Sequence, residues 1–185
     1  MNIVSSIRVK SGRIALKRQA SRINRNRKIF NLQQASRIGI LYYLEDDTVY
    51  AKVSEYVKKL QEAGKTVKAL GFVEDKKLTG QLMPKLSFDF LYPSGLSWNL
   101  KPVSIHAKDF IEEEYDILMD LSTEDVFPLL YITATSNARF KVGLKSTQRS
   151  PWLDLMLEMD DTKGLDDLIE HVDHYISIIN KNNES

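Results

Sequence analysis

From residue 38 onward the hydrophobic pattern switches between short continuous apolar runs and helical periodicity. Ile38-Gly39-Ile40-Leu41-Tyr42-Tyr43-Leu44 lacks polar alternation, which predicts a strand over 38–44 buried on both faces. Glu45, Asp46, Asp47 and Thr48 then open a helix, where carboxylates meet the positive end of the helix dipole. Tyr50, Val53, Val57 and Leu60 form its apolar stripe, and Gly64 marks its stop. A second strand follows over 66–73, completing a right-handed βαβ unit. Residues 74–115 are less regular and are punctuated by Pro84, Pro93, Gly95 and Pro102, with a third strand expected over 87–91 and a helical turn over 109–114. Regularity returns with a strand over 115–121, a capping box of Ser122 and Asp125, and a helix over 127–136. Strands over 138–145 and 152–159 come next, then a helix over 164–180 that turns Leu165, Leu168, Ile169, Val172, Tyr175, Ile176 and Ile179 inward. This alternation predicts an α/β fold: a mostly parallel sheet of Rossmann-like or flavodoxin-like type, covered by helices and preceded by a basic helical arm.

The arm stands apart by charge. Residues 1–44 hold ten basic side chains and no acidic one; Glu45 is the first carboxylate. The remaining residues carry a net −9, so an overall charge of +1 conceals a +10 segment joined to an acidic body. The expected organisation is a basic arm over 1–36, one α/β domain over 37–181 and a disordered tail over 182–185. Ile7, Ile14 and Ile23 recur near multiples of 3.6 residues, which predicts an imperfect amphipathic helix with a break near Gly12. Four readings of the arm compete. It is a helix packed on its own acidic body, an RNA dock whose cations release counterions, an anchor on an anionic membrane surface, or an organellar transit segment. The apolar face is thin for a membrane, with no Trp and one Phe, and the presence of residue 1 favours a mature chain.

Composition narrows the chemistry. A chain of 185 residues makes one ordinary domain plus an appendage. Zero cysteines exclude disulfides, thiolate metal sites and a cysteine nucleophile. The longest unbroken apolar stretch, 38–44, falls far short of the roughly 18 residues of a membrane span. No G-x-G-x-x-G or G-x-x-x-x-G-K-[ST] occurs, and acids at the two best helix starts would repel phosphate, so no nucleotide cofactor is expected. In parallel sheets ligands bind beyond the carboxyl ends of the strands, which places Asp46, Asp47, Asp120, Ser122 and Thr123 at the candidate pocket. Asp46, Asp47, Asp120 and Lys145 superficially resemble a phospho-acceptor receiver site with Mg²⁺, although Asp120 falls in the fourth strand rather than the third. Helix caps and solvated acids explain the same residues without a ligand. His171 and His174 share a helix face, for which a core edge and a solvated position are the commoner outcome than a metal. Trp98, Trp152, Tyr92 and Phe90 either line a groove or, as is commoner for aromatics in loops beside strands, cap the core, and they are left unassigned.

The body resembles a family of bacterial proteins built as a basic leader followed by a short α/β domain of unknown function. The matching stretches are Ile38-Gly39-Ile40-Leu41-Tyr42, Val67-Lys68-Ala69-Leu70-Gly71-Phe72, Phe88-Asp89-Phe90, Tyr115 through Ser122, Phe127-Pro128-Leu129 and Ala138 through Gly143. That resemblance implies a bacterial cytoplasmic protein and supplies no catalytic residues. A fainter likeness, in Tyr115 to Leu121 and Ala138 to Gly143, runs to the N-terminal half of heptosyltransferase-type sugar transferases and implies shared Rossmann-like ancestry. The function expected is non-enzymatic docking on RNA, with the ribosome as one candidate, through Arg8, Lys10, Arg13, Lys17, Arg18, Arg22, Arg25, Arg27 and Lys28. The alternatives are a small-molecule or Mg²⁺-dependent enzyme at the strand-end acids and a membrane-surface protein.

Overall fold

The computed structural model describes residues 3–74, 86–160 and 163–179; the tail expected over 182–185 lies outside the described residues, as does Pro84. Helix α1 (Ile3–Ala20) leads into β1 (Arg37–Tyr43), α2 (Asp47–Glu62) and β2 (Thr66–Phe72). Then come β3 (Phe88–Leu91), α3 (Ile105–Glu112), β4 (Ile117–Asp120), α4 (Phe127–Thr135), β5 (Phe140–Leu144), β6 (Leu155–Leu157) and α5 (Leu165–Ile178). The six strands form one fully parallel sheet in the order β3-β2-β1-β4-β5-β6. That is the Rossmann order, not the flavodoxin one, and its direction reverses between β1 and β4.

Strand parity sorts the core into layers. Ile38, Ile40, Tyr42, Ile117, Met119, Phe140 and Val142 face α2 and α5, while Leu41, Leu70 and Leu118 face α3 and α4. Helix α2 starts where the Asp46 carboxylate accepts the Val49 N–H at 2.9 Å. It ends at Gly64, whose φ of 79° lets its N–H reach the Gln61 carbonyl and the next N–H reach Leu60. The helix around 109–114 proves longer and earlier, because Ser104 caps it by accepting the Ala107 N–H. Strand β6 is shorter than the span 152–159, since residues Ser150–Trp152 wind into a 3₁₀ turn after Arg149.

Helix α4 is apolar around its whole circumference, and every residue from Pro128 to Thr135 is buried. Leu129 and Ile132 face the sheet; Leu130, Tyr131 and Ala134 face outward and would be wet without a cover. The basic helix α1 is that cover, laying Leu16 and Ala20 on this outer row, while Tyr131 donates its hydroxyl hydrogen to Gln19 at 2.6 Å. The break expected at Gly12 does not occur. Gly12 instead allows the close approach: a Cβ there would lie 2.4 Å from the Asn99 carbonyl oxygen and 2.9 Å from the Phe127 ring. Ile7 and Ile14, the stripe expected to pack, are 54% and 70% exposed on the opposite side.

Beyond α1, residues 21–36 pass beneath the start of β5 and cross to the other face of the sheet. Arg25 forms a bidentate pair with Asp154 at 2.6 and 2.7 Å and also donates to the Ala138 carbonyl. The Lys28 N–H reaches the Arg139 carbonyl, Phe30 enters the core on the α5 face, and the Leu32 N–H reaches Ile176.

Gly12→Ala separates two opposing effects. Helix propensity alone would stabilise the chain by about 1 kcal/mol, whereas the clash with Asn99 and Phe127 should destabilise it by about 1–3 kcal/mol. Urea unfolding should show net loss; a gain would mean that α1 is not seated as described.

Candidate functional site

At the reversal point between β1 and β4, a cavity of about 270 Å³ is lined by Tyr43, Glu45, Asp46, Lys52, Thr123 and Lys163, among others. A larger one of about 860 Å³ adjoins it beyond β5 and β6, with Thr123, Asp125, Lys145, Ser146, Arg149 and Glu158 on its wall. The structure therefore brings Asp46 and Thr123 together, as the carboxyl-end rule anticipates, but it employs most of the expected acids elsewhere. Asp46 is the α2 cap. Asp47 sits exposed in the first turn of α2. Asp120 is 1% exposed, points to the α4 face, and accepts from the Ser122 N–H at 3.1 Å and the Thr133 hydroxyl at 3.2 Å.

Ser122 does not cap a helix. Helix α4 begins five residues later at Phe127 with Pro128 in its first turn and no side-chain cap, and the Ser122 hydroxyl is buried without a hydrogen-bond partner. Asp125 is taken instead by Arg149, at 2.8 Å, and by the Ser146 hydroxyl; Arg149, itself buried, also donates to the Ser122 carbonyl at 2.5 Å. These bonds staple the loops after β4 and β5 together at the wall of the larger cavity. Lys145 is occupied by Glu158. Burial, with Glu124 and Asp46 beside it, pushes the Glu45 carboxyl up. Among the described residues no group of three or more His, Asp or Glu side chains is placed to hold a metal ion.

The arm cations divide into two sets. Arg8 donates to the Trp98 carbonyl at 2.5 Å, Arg13 to Gln148 at 2.9 Å, and Arg25 is committed to Asp154. Lys10, Lys17, Arg18, Arg22, Arg27 and Lys28 are exposed. Lys10, Lys17 and Arg18 lie on the side of α1 away from α4, alternating with Ile7 and Ile14, and among the described residues none of the three has an ion pair. From Lys10 to Arg18 the row spans about 12 Å at the helical rise. Lys17 and Arg18 also sit in the last turn, where the helix dipole favours cations.

Lys141 is the functional candidate that pattern reading missed. It is 2% exposed on the α4 face of β5, where its ammonium donates to the Thr133 carbonyl at 2.6 Å. Burial, reinforced by Arg25 and Arg27 and opposed by Asp154, pushes it down to about 7. The available signal was its place in Phe140-Lys141-Val142, a lysine inside a strand covered on both faces.

A family model described as a family of unknown function (DUF6913) matches residues 8–179. No curated protein and no solved structure matches the chain.

The lowered lysine has a measurable consequence. Between about pH 7 and the ordinary lysine value of 10.5, the unfolded chain holds a proton on Lys141 that the folded chain does not. That difference adds stability as pH rises through this window, and below about pH 7 its contribution is flat because both states are protonated. Urea unfolding of the wild type and Lys141→Met across the window should show a slope in the wild type that the variant lacks; equal slopes would exclude Lys141 as its source.

Proposed function

The chain belongs to the family of unknown function DUF6913, and on that footing we propose that it is a non-enzymatic docking protein whose basic helix engages RNA. The observation that carries this reading is the outer face of α1, where Lys10, Lys17 and Arg18 stand exposed on a helix without a single carboxylate. Arg22, Arg27 and Lys28 continue the exposed charge beyond the helix end. A row of uncompensated cations on a rigid rod neutralises successive phosphates and releases their counterions, which gives affinity without base contacts. Because α1 is already seated on α4, its ordering cost falls on folding rather than on binding.

The strand-end crevice offers less support for catalysis, because Asp46 and Asp120 are engaged in capping and loop bonds. One observation favours a second reading. Ile7 and Ile14 share the outer face with the cations, an arrangement that also suits an anionic lipid surface. No helix among the described residues is long and apolar enough to cross a membrane.

The test leaves the fold intact. Deleting the arm would bare the outer row of α4, so side-chain replacement on the exposed face is the cleaner experiment. With Lys10, Lys17 and Arg18 replaced by Ala in the full chain, the slope of log affinity for RNA against log salt should flatten by about 2–3. An unchanged slope would remove this face from any RNA interface. Vesicle co-sedimentation that requires anionic lipid, and that Ile14→Ser abolishes, would transfer the face to the membrane reading.

A further inference from the structure

We propose that the cleft where the end of α1, the 21–36 segment, α4 and the start of β5 meet is a binding site for a phosphate-sized oxyanion, held between the Lys141 ammonium and the Arg27 guanidinium. The inference does not rest on the RNA reading, because it uses neither Lys10, Lys17 nor Arg18.

The cleft is a cavity of about 250 Å³, room for a phosphate group with a small substituent. Lys141, Arg25, Arg27 and Asn24 give it a cationic and polar wall, Ile23 and Trp152 an apolar one, and no carboxylate lines it. The nearest acid, Asp154, is already shared. Its two oxygens accept both Arg25 bonds and the Lys141 backbone N–H at 2.9 Å, and one of them lies 3.9 Å from Arg27. Two guanidinium groups thus share that one carboxylate, while among the described residues the Lys141 ammonium is bonded only to the Thr133 carbonyl. Arg25 directs Nη1 to Asp154 and to the Ala138 and Arg139 carbonyls and Nη2 to the second Asp154 oxygen, so its charge is paired with Asp154. Arg27 has a side chain 72% exposed at the rim and its nearest carboxylate at the limit of an ion pair.

Lys141 has three N–H donors, of which the Thr133 carbonyl takes one. A buried ammonium with donors to spare is costly to hold without a counter-charge. The groups that act on it are Arg25, Arg27 and Asp154 from the segment and the β6 approach, and from α4 Thr133, whose hydroxyl carries the contact on to Asp120. An oxyanion between Lys141 and Arg27 would supply that charge and keep the amine protonated. The same chemistry could arrive as inorganic phosphate or a small phosphate ester, or as the terminal phosphate of a nucleic-acid strand.

The test uses the full chain and sulfate, which stays dianionic over the whole range, at constant ionic strength against chloride. Saturable binding by calorimetry is expected, weakening by up to about tenfold per pH unit above about 7 as the amine loses its proton. Lys141→Met should abolish it. Because that position is buried, the exposed Arg27→Ala serves as the second variant and should weaken binding roughly tenfold through loss of one charge-assisted contact. Absence of saturable sulfate and phosphate binding, or an affinity unchanged in both variants, overturns the proposal. A further arm compares 5′-phosphorylated with 5′-hydroxyl RNA oligonucleotides. A preference for the phosphorylated strand that Lys141→Met removes identifies the terminal phosphate as the source; equal binding, with sulfate still bound, identifies the free or small-ester phosphate.

Discussion

Helix α4 cannot be left with one side in water. An α/β layer ordinarily tolerates a helix with one apolar stripe, but residues Phe127–Thr135 are apolar all round and need protein on both sides. The sheet covers one side and α1 covers the other, so the most cationic stretch of the chain is bound to the body by the least polar one. Much else follows from this contact. It aims Lys10, Lys17 and Arg18 away from the protein, sets Gly12 against the Asn99 carbonyl, and closes the cleft in which Lys141 is buried. Burying Leu16 alone contributes about 1.5–3 kcal/mol, a large share of the stability of an ordinary domain.

The polarity of the molecule differs from that common for its strand order. In a Rossmann sheet the reversal point often receives a phosphate at a helix N-terminus. Here Glu45, Asp46 and Asp47 stand at that point, and burial, with Glu124 and Asp46 beside it, pushes the Glu45 carboxyl up. The unpaired positive charge lies on the α4 side and along α1. The exposed and buried cations are thus concentrated at the seam between the basic helix and the body rather than at the carboxyl edge of the sheet.

The alternation of apolar runs and helical stripes was enough to place five of the six strands within a few residues, with α2, α5 and the Gly64 stop, because each element carries its own period or cap. Strand β6 was overextended because Trp152 and Leu153 are apolar but belong to a turn set by Pro151. The seating of α1 was illegible for a clearer reason. Its buried edge consists of Gly12, Leu16, Gln19 and Ala20, too small and mixed to register as a hydrophobic stripe, while the larger Ile7 and Ile14 drew the pattern to the exposed side. Asp46 and Thr123 were placed at the crevice by the strand-end rule. Asp120 belongs to the other face because it is still a strand residue, and strand parity turns it toward Thr133. Lys141 was invisible because charge within a strand ordinarily signals a wet face, and here α4 and α1 keep that face dry.

The route of residues 21–36 also decides how the protein would bear a load. A tug on α1 does not reach the sheet directly. It meets the Arg25 clamp on Asp154, then the Lys28 link to Arg139, the Phe30 anchor, the Leu32 link to Ile176, and the Lys65 ammonium holding the Gln33 and Ala35 carbonyls. Only after these does tension arrive at β1, which is laddered on both sides by β2 and β4. Once α1 is lifted from α4, these small catches along β5, α5 and α2 would yield in sequence, so a pull from a large partner would be taken up at the periphery of the body before it reached the central strand.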